Sequence, residues 1–184
     1  MASTRRFELK AHQLTCEVPP FRCGDDGLDS FLAENAWDYQ ELGIATTYLA
    51  TLRTPTGESG ILIGYVTLCA DAVVLGTGER RQLRPKLGFS HPQVVPALKV
   101  ARLAVSRERQ KTGAGTFLMR LAHALGLGMQ SSVGCRLLTV DAYESSLGFY
   151  TRLGFQPNKA VERREGSTTA SMRLDLNPPR DWLE

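Results

Sequence analysis

Histidine and cysteine are scarce in this sequence, and neither is spaced for a metal. The three histidines, His12, His91 and His123, are scattered, and the four cysteines, Cys16, Cys23, Cys69 and Cys135, form no Cys-x-x-Cys pair. That argues against a metal cluster and against a disulfide framework, and leaves reduced core thiols as the expectation. Long apolar runs are missing too. The longest stretches, such as Ile61 to Leu68, are strand-length and broken by Gly, Tyr or Thr, so no membrane helix is predicted. Arg5 and Arg6 stand near the start, but Phe7 to Val18 is mixed polar and lacks the apolar centre of a signal peptide. Dense acidic runs, low-complexity tracts and internal repeats are absent. The expectation is a cytoplasmic protein with no membrane contact.

What is present suits one globular domain over residues 1–184, with 42% hydrophobic and 22% charged residues. A net charge of +3 is too small to point to nucleic acid by itself. Its distribution says more. Arg80, Arg81, Arg84 and Lys86 share one long loop, Arg163 and Arg164 form a second group, and Arg102, Arg107, Arg109 and Lys111 surround a pair of glycines.

Those glycines mark the central feature. Leu103 to Val105 reads as the end of a strand, a polar turn follows, and Gly113 and Gly115 open an amphipathic stretch. The first N–H groups of a helix have no partner within it, and the helix dipole favours negative charge there. Glycine lets a phosphate come close to the backbone. Strand, glycine turn and helix start together predict a pyrophosphate site.

Taken in order, the chain predicts an α+β fold. A first strand lies near Phe7 to Leu9, and a helix capped by Asp25 or Asp26 runs to about Glu41 and ends near Gly43. Ile44 to Arg53 and Ile61 to Cys69 make an antiparallel hairpin, which Ala72 to Leu75 extends. Gly76 to Gln93 is a long loop. Pro96 to Val105 is the central strand, and the helix from Gly113 to about Gln130 follows it, weakened by Gly126 and Gly128. Cys135 to Asp141 is a strand, Glu144 to Leu153 a short helix closed by Gly154, and Thr168 to Leu176 the last strand. The sheet is mostly antiparallel, with strands 98–105 and 135–141 as parallel neighbours around one strand–helix–strand unit.

Gln110-Lys111-Thr112-Gly113-Ala114-Gly115 resembles the Gln/Arg-x-x-Gly-x-Gly/Ala signature of GNAT acetyltransferases. Ala101 to Val105 precedes it as in that family, and Phe149-Tyr150-Thr151-Arg152-Leu153-Gly154-Phe155 resembles the family's Phe-Tyr-x-x-x-Gly-Phe. Phe21 to Gly24, Leu28 to Leu32, Gly43 to Tyr48 and Ile63 to Leu68 are similar to the GNAT-type toxins of toxin–antitoxin pairs.

The resemblance implies the GNAT (acyl-CoA N-acyltransferase) fold, in which the fourth and fifth strands splay apart. It implies acetyl-CoA, with its pyrophosphate on the backbone amides from Lys111 and Thr112 through Gly113, Ala114, Gly115 and Thr116, and with Gln110 also among the cofactor-binding residues. Leu103, Ala104 and Val105 would lie along the acetyl arm. Tyr143 stands where many relatives carry an Asn that contacts pantetheine. Lys111 and Thr112 replace the turn's common Gly and Arg/Lys, which narrows the allowed backbone. Tyr150 is implied as general acid, since a phenol of pKa about 10 keeps its proton at neutral pH. No general base is evident; Glu34, Glu41 and Asp141 qualify only as carboxylates able to act through water.

Toxins of this type acetylate the α-amino group of an aminoacyl-tRNA. That implies Arg80, Arg81, Arg84, Lys86 and Arg102 as RNA contacts, a small ribbon-helix-helix antitoxin as partner, and a homodimer. An α-amine, with a pKa of about 7.7–8.0, needs little help from a base. The alternative acceptor is a small-molecule amine, and a non-enzymatic alternative is an acetyl-CoA-binding regulatory module.

Overall fold

The structure is a computed structural model that describes residues 8–15, 18–53, 60–79, 94–158 and 168–177. Residues 54–59 between the two hairpin strands, the basic cluster Arg80, Arg81, Arg84 and Lys86, and the pair Arg163 and Arg164 lie outside the described residues. The chain divides into two compact units, Met1–Cys69 with Ala101–Leu121, and Ala70–Val100 with Ala122–Glu184.

The first unit contains strand β1 (Glu8–Gln13), helix α1 (Asp26–Ser30), a π-helical turn (Phe31–Asn35), helix α2 (Ala36–Glu41) and strand β2 (Thr46–Arg53). It also holds the first part of β3 (Ile61–Val74), the last part of β4 (Val94–Val105) and the start of α3 (Ala114–Met129). Its strand order is β1-β2-β3-β4. β1 reaches Gln13 rather than ending near Leu9, because β2 pairs with it antiparallel as far as Gln13↔Tyr48.

Asp25 caps α1, its Oδ1 accepting the Leu28 N–H at 3.0 Å. The sequence suggested one regular helix to Glu41; the structure inserts the π turn, where the Ala36 N–H bonds back to the Phe31 carbonyl. The helix ends at Gly43, whose φ of +68° suits glycine. Ile44 and Ala45 still donate to the Tyr39 carbonyl at 2.8 and 3.2 Å. β2 therefore starts at Thr46, two residues later than its β-branched composition suggests. Gln40 ties the helix to the sheet, donating to Leu14 O at 2.9 Å and accepting from Thr47 N. Phe31, Leu32, Ala36, Leu49, Leu62, Tyr65 and Ala104 bury a common core. At Gly64 on β3, an added Cβ would lie 2.6 Å from the Ala104 carbonyl and 3.1 Å from Leu118 Cδ1, so β3 and β4 approach closely only because this residue is glycine.

The second unit contains the rest of β3, β4 and α3, with β5 (Leu137–Tyr143), α4 (Leu147–Arg152), β6 (Gln156–Pro157) and β7 (Thr169–Asp175). Its strand order is β3-β4-β5-β7-β6. β4 and β5 are parallel, as their connection by a helix predicts, and their pairing runs from Ala97↔Leu137 to Val100↔Val140. β5 continues to Tyr143 paired antiparallel with β7. Helix α3 passes unbroken through Gly126 and Gly128. Gly126 has a packing reason: a Cβ there would meet Leu176 Cδ1 at 2.9 Å.

Buried ionic groups also order this unit. The Arg173 guanidinium pairs with Glu79 at 2.7 Å and donates to Pro157 O at 2.7 Å and Asn158 Oδ1 at 3.0 Å. Glu79 also accepts from Gly76 N at 2.9 Å. Both charges are nearly excluded from water, which this pairing makes tolerable. Among the described residues, no helix is long and apolar enough to cross a membrane and no cluster of ligands could hold a metal ion.

Candidate active site

Strand β4 ends at Val105, and residues 107–109 make one 3-10 turn before the glycine turn. Lys111 has a φ of +62°, the only non-glycine among the described residues in the left-handed region, and Gly113 has +95°. The sequence put a residue with a Cβ where the family pattern has glycine; the backbone keeps the glycine conformation regardless. Such a residue stores roughly 1–3 kcal/mol. Thr112 Oγ1 donates to Arg109 O at 2.6 Å and closes the turn.

The first intrahelical bond of α3 runs from Phe117 N to Gly113 O at 3.0 Å. The N–H groups of Ala114, Gly115 and Thr116 therefore precede the ladder. Nothing lies within 4 Å of where a Cβ on Gly113 would stand. A helix of 16 residues adds its dipole behind these donors. The arrangement fits a phosphate group and needs no side chain to hold it.

The Gln110 side chain turns inward. Its side-chain Nε2 donates to Cys23 O at 2.8 Å and to Val105 O at 3.2 Å, so it shapes the turn from within. The segment it grips is held elsewhere as well. Arg107 N donates to Arg22 O at 3.0 Å, Ser106 N donates to Ile63 O at 2.8 Å, and Cys23 N donates to Asp29 Oδ1 at 2.8 Å. Asp29, 4% exposed, was missed by sequence reasoning. Its signal was there: it shares helical spacing with Leu32, Ala33 and Ala36, an unusual place for a free carboxylate. Burial, and then the bond to Asp29, push the Cys23 thiol up to about 11. That makes it an inert core thiol at neutral pH.

Leu103 and Val105 are half-buried and Ala104 is buried on β4. Arg102 is exposed, its guanidinium 5.1 Å over the Phe31 ring and donating to Ala101 O at 2.7 Å. Those residues belong to the first unit. Tyr143 and Tyr150 belong to the second. Tyr143 ends β5 and is 45% exposed. Tyr150 sits in α4, whose end is fixed by Gly154 at φ +85° and by bonds from Leu153 N and Phe155 N to Tyr150 O at 3.1 and 3.0 Å. Its ring packs edge-on against Phe149 and Phe155 at 5.1 and 5.4 Å. Burial raises the Tyr150 phenol above its ordinary range, so it holds its proton firmly at neutral pH. Of the three carboxylates able to act as bases, Glu34, Glu41 and Asp141 are all exposed, and Asp141 is paired with Lys99 at 2.7 Å.

Residues 63–157 match the family model for the acetyltransferase (GNAT) domain. A tRNA-acetylating toxin of Mycobacterium tuberculosis is 26% identical over 141 residues, which is 76% of this chain and 78% of the relative. Two solved structures share the fold. A tyrosine-to-phenylalanine mutant of the AtaT toxin, bound to the C-terminus of the antitoxin AtaR and acetyl-CoA, matches with a TM-score of 0.68 at 24% identity, covering 91% of this chain and 93% of that one. AtaT complexed with acetyl-methionyl-tRNAfMet matches at 0.69 and 24%, covering 89% and 94%.

Proposed function

From the premise that this chain belongs to the GNAT acetyltransferase family, whose model covers more than half of it, we propose that it moves an acetyl group from acetyl-CoA to the α-amino group of an aminoacyl-tRNA. The observation that carries the acceptor is the likeness to the tRNA-acetylating toxin over three-quarters of the chain.

The bound donor supplies an acetyl thioester, which an amine attacks with loss of the thiol. The chain's own groups divide the remaining work. The amides of Ala114, Gly115 and Thr116 bind the pyrophosphate, and Gly113 leaves room for it. Gln110 keeps the end of β4 and the turn in one shape, so that the backbone of Leu103, Ala104 and Val105 presents fixed groups to the acetyl arm. Tyr150 is the general acid: it keeps a proton on Oη and releases it as negative charge develops on the departing sulfur. The acceptor's α-amine is partly neutral at working pH and requires no strong base.

An antitoxin is the partner this reading carries, because a neighbour of the same fold is bound to an antitoxin's C-terminus, and the resemblance to GNAT-type toxins makes it a small ribbon-helix-helix protein. A homodimer and a cytoplasmic location, where charged tRNA is found, belong to the same reading. The deciding assay offers labelled acetyl-CoA with a panel of charged tRNAs and a panel of free amines. Acetyl-aminoacyl-tRNA is the expected product; labelling of free amines alone would remove RNA from the function.

A further inference from the structure

The first unit holds a cleft of about 860 Å³ beside the residues that lead into the glycine turn. Its walls are of two kinds. Pro20 and Phe21 offer flat apolar faces, and the Phe21 ring is braced edge-on against Tyr65 at 5.6 Å. Arg22, Arg107 and Arg109 supply positive charge. All three arginines are exposed, and the one carboxylate approach recorded for them among the described residues is the long one from Arg22 to Asp29, at 3.9 Å. Asp29 itself lines the cleft, held in place by the Cys23 N–H. Glu108 is the other acidic residue of the lining.

Each wall matches one part of a nucleotide. Flat apolar side chains stack on bases, and arginines neutralise phosphates. A fixed carboxylate accepts from the exocyclic amino groups of cytosine and adenine. A cleft of this size exceeds what one base fills and suits about two nucleotides. An apolar peptide would leave three arginines without partners, and a fully basic partner would be repelled by them. We propose that this cleft receives the single-stranded end of the acceptor RNA, with a base on Pro20 and Phe21, its amino group on Asp29, and its phosphates on the arginines. The proposal rests on the reading that the acceptor is an aminoacyl-tRNA.

The test uses the double variant Arg22→Ala with Arg109→Ala, since both side chains are exposed and their loss should not disturb folding. The expected result is a rise of roughly tenfold in KM for charged tRNA, a loss of about 2 from the slope of log KM against log salt, and no matching rise in KM for acetyl-CoA. A rise in KM for acetyl-CoA in place of that for tRNA assigns the arginines to the cofactor's phosphates and overturns the proposal. No change in either overturns it too. Calorimetric titration with the oligonucleotide ACCA reads the cleft directly. Binding that the double variant loses sustains the proposal even if the wild type acetylates no charged tRNA, in which case only the acceptor reading fails. Absence of ACCA binding by the wild type overturns the cleft assignment alone.

Discussion

Replacing Gly64 by Ala tests how closely β3 and β4 are packed. The added methyl would meet the Ala104 carbonyl oxygen at 2.6 Å and Val105 Cα at 3.3 Å. Ordinary carbon–oxygen contacts between strands begin at about 3.3 Å, so the overlap is about 0.7 Å. Leu118 Cδ1, at 3.1 Å, can turn aside, but a backbone oxygen moves only with its strand. Overpacking of this kind costs about 3 kcal/mol at the upper end of its usual range. The more restricted unfolded chain returns about 0.7 kcal/mol. The net loss is about 2 kcal/mol, or roughly 4–8 °C in melting temperature for a chain of this size. Gly128→Ala is the internal control. It lies in α3 with nothing within 4 Å of a new Cβ, and should gain up to about 1 kcal/mol of helix propensity. Melting followed by circular dichroism at 222 nm measures both. A Gly64→Ala protein that melts with the wild type, or the same sign of shift at both positions, would refute the argument that strand approach fixes this residue.

Tyr150→Phe keeps the ring contacts to Phe149 and Phe155 and should keep acetyl-CoA affinity while lowering kcat by about 100-fold or more; a fall smaller than about threefold removes Tyr150 from proton transfer. Gln110→Ala leaves the Cys23 and Val105 carbonyls without their side-chain donor and should destabilise by about 1–2 kcal/mol, read from the denaturant midpoint, with a several-fold higher KM for acetyl-CoA. Lys111→Gly relieves the left-handed backbone and should raise the midpoint by an amount equivalent to about 1 kcal/mol; a lowered midpoint contradicts the strain. Cys23, with its thiol at about 11, should react with iodoacetamide at pH 8 at least 100-fold more slowly than in the unfolded chain, as resolved by peptide mass spectrometry. The sign for stability follows: the folded thiol binds its proton more tightly than the unfolded one, so its contribution is complete below pH 9 and is lost as pH climbs towards and through 11.

The strands, the hairpin and the parallel pair were legible because hydrophobic period and β-branched composition act locally, residue by residue. The glycine turn was legible because few sequences place two glycines between a strand and an amphipathic helix. What escaped was decided at a distance. Gln110 belongs to the motif, but nothing local says that its amide turns inward to Cys23, far away in sequence. The same holds for Arg173, which reads as one polar position of an alternating strand and is instead a buried cation paired with Glu79. The π turn left no mark, because Phe31 to Asn35 has ordinary helix-compatible residues and the extra residue is fixed by packing.

That π turn carries a record of how the sequence can change length. One residue more than a regular helix needs is taken up between α1 and α2, and each residue turns an α-helix by about 100°. Deleting Ala33, which is exposed, would let the segment relax to an unbroken helix. Because the π turn absorbs the extra residue, Ala36 and Gln40 would stay on the face that meets the sheet, with the ties to Leu14 and Thr47 kept. A relative without the extra residue can therefore anchor its second helix through the side chains at the same helical positions. In an alignment of the two, a one-residue gap would belong between Ser30 and Ala36, and matching them without it would pair core positions with surface ones.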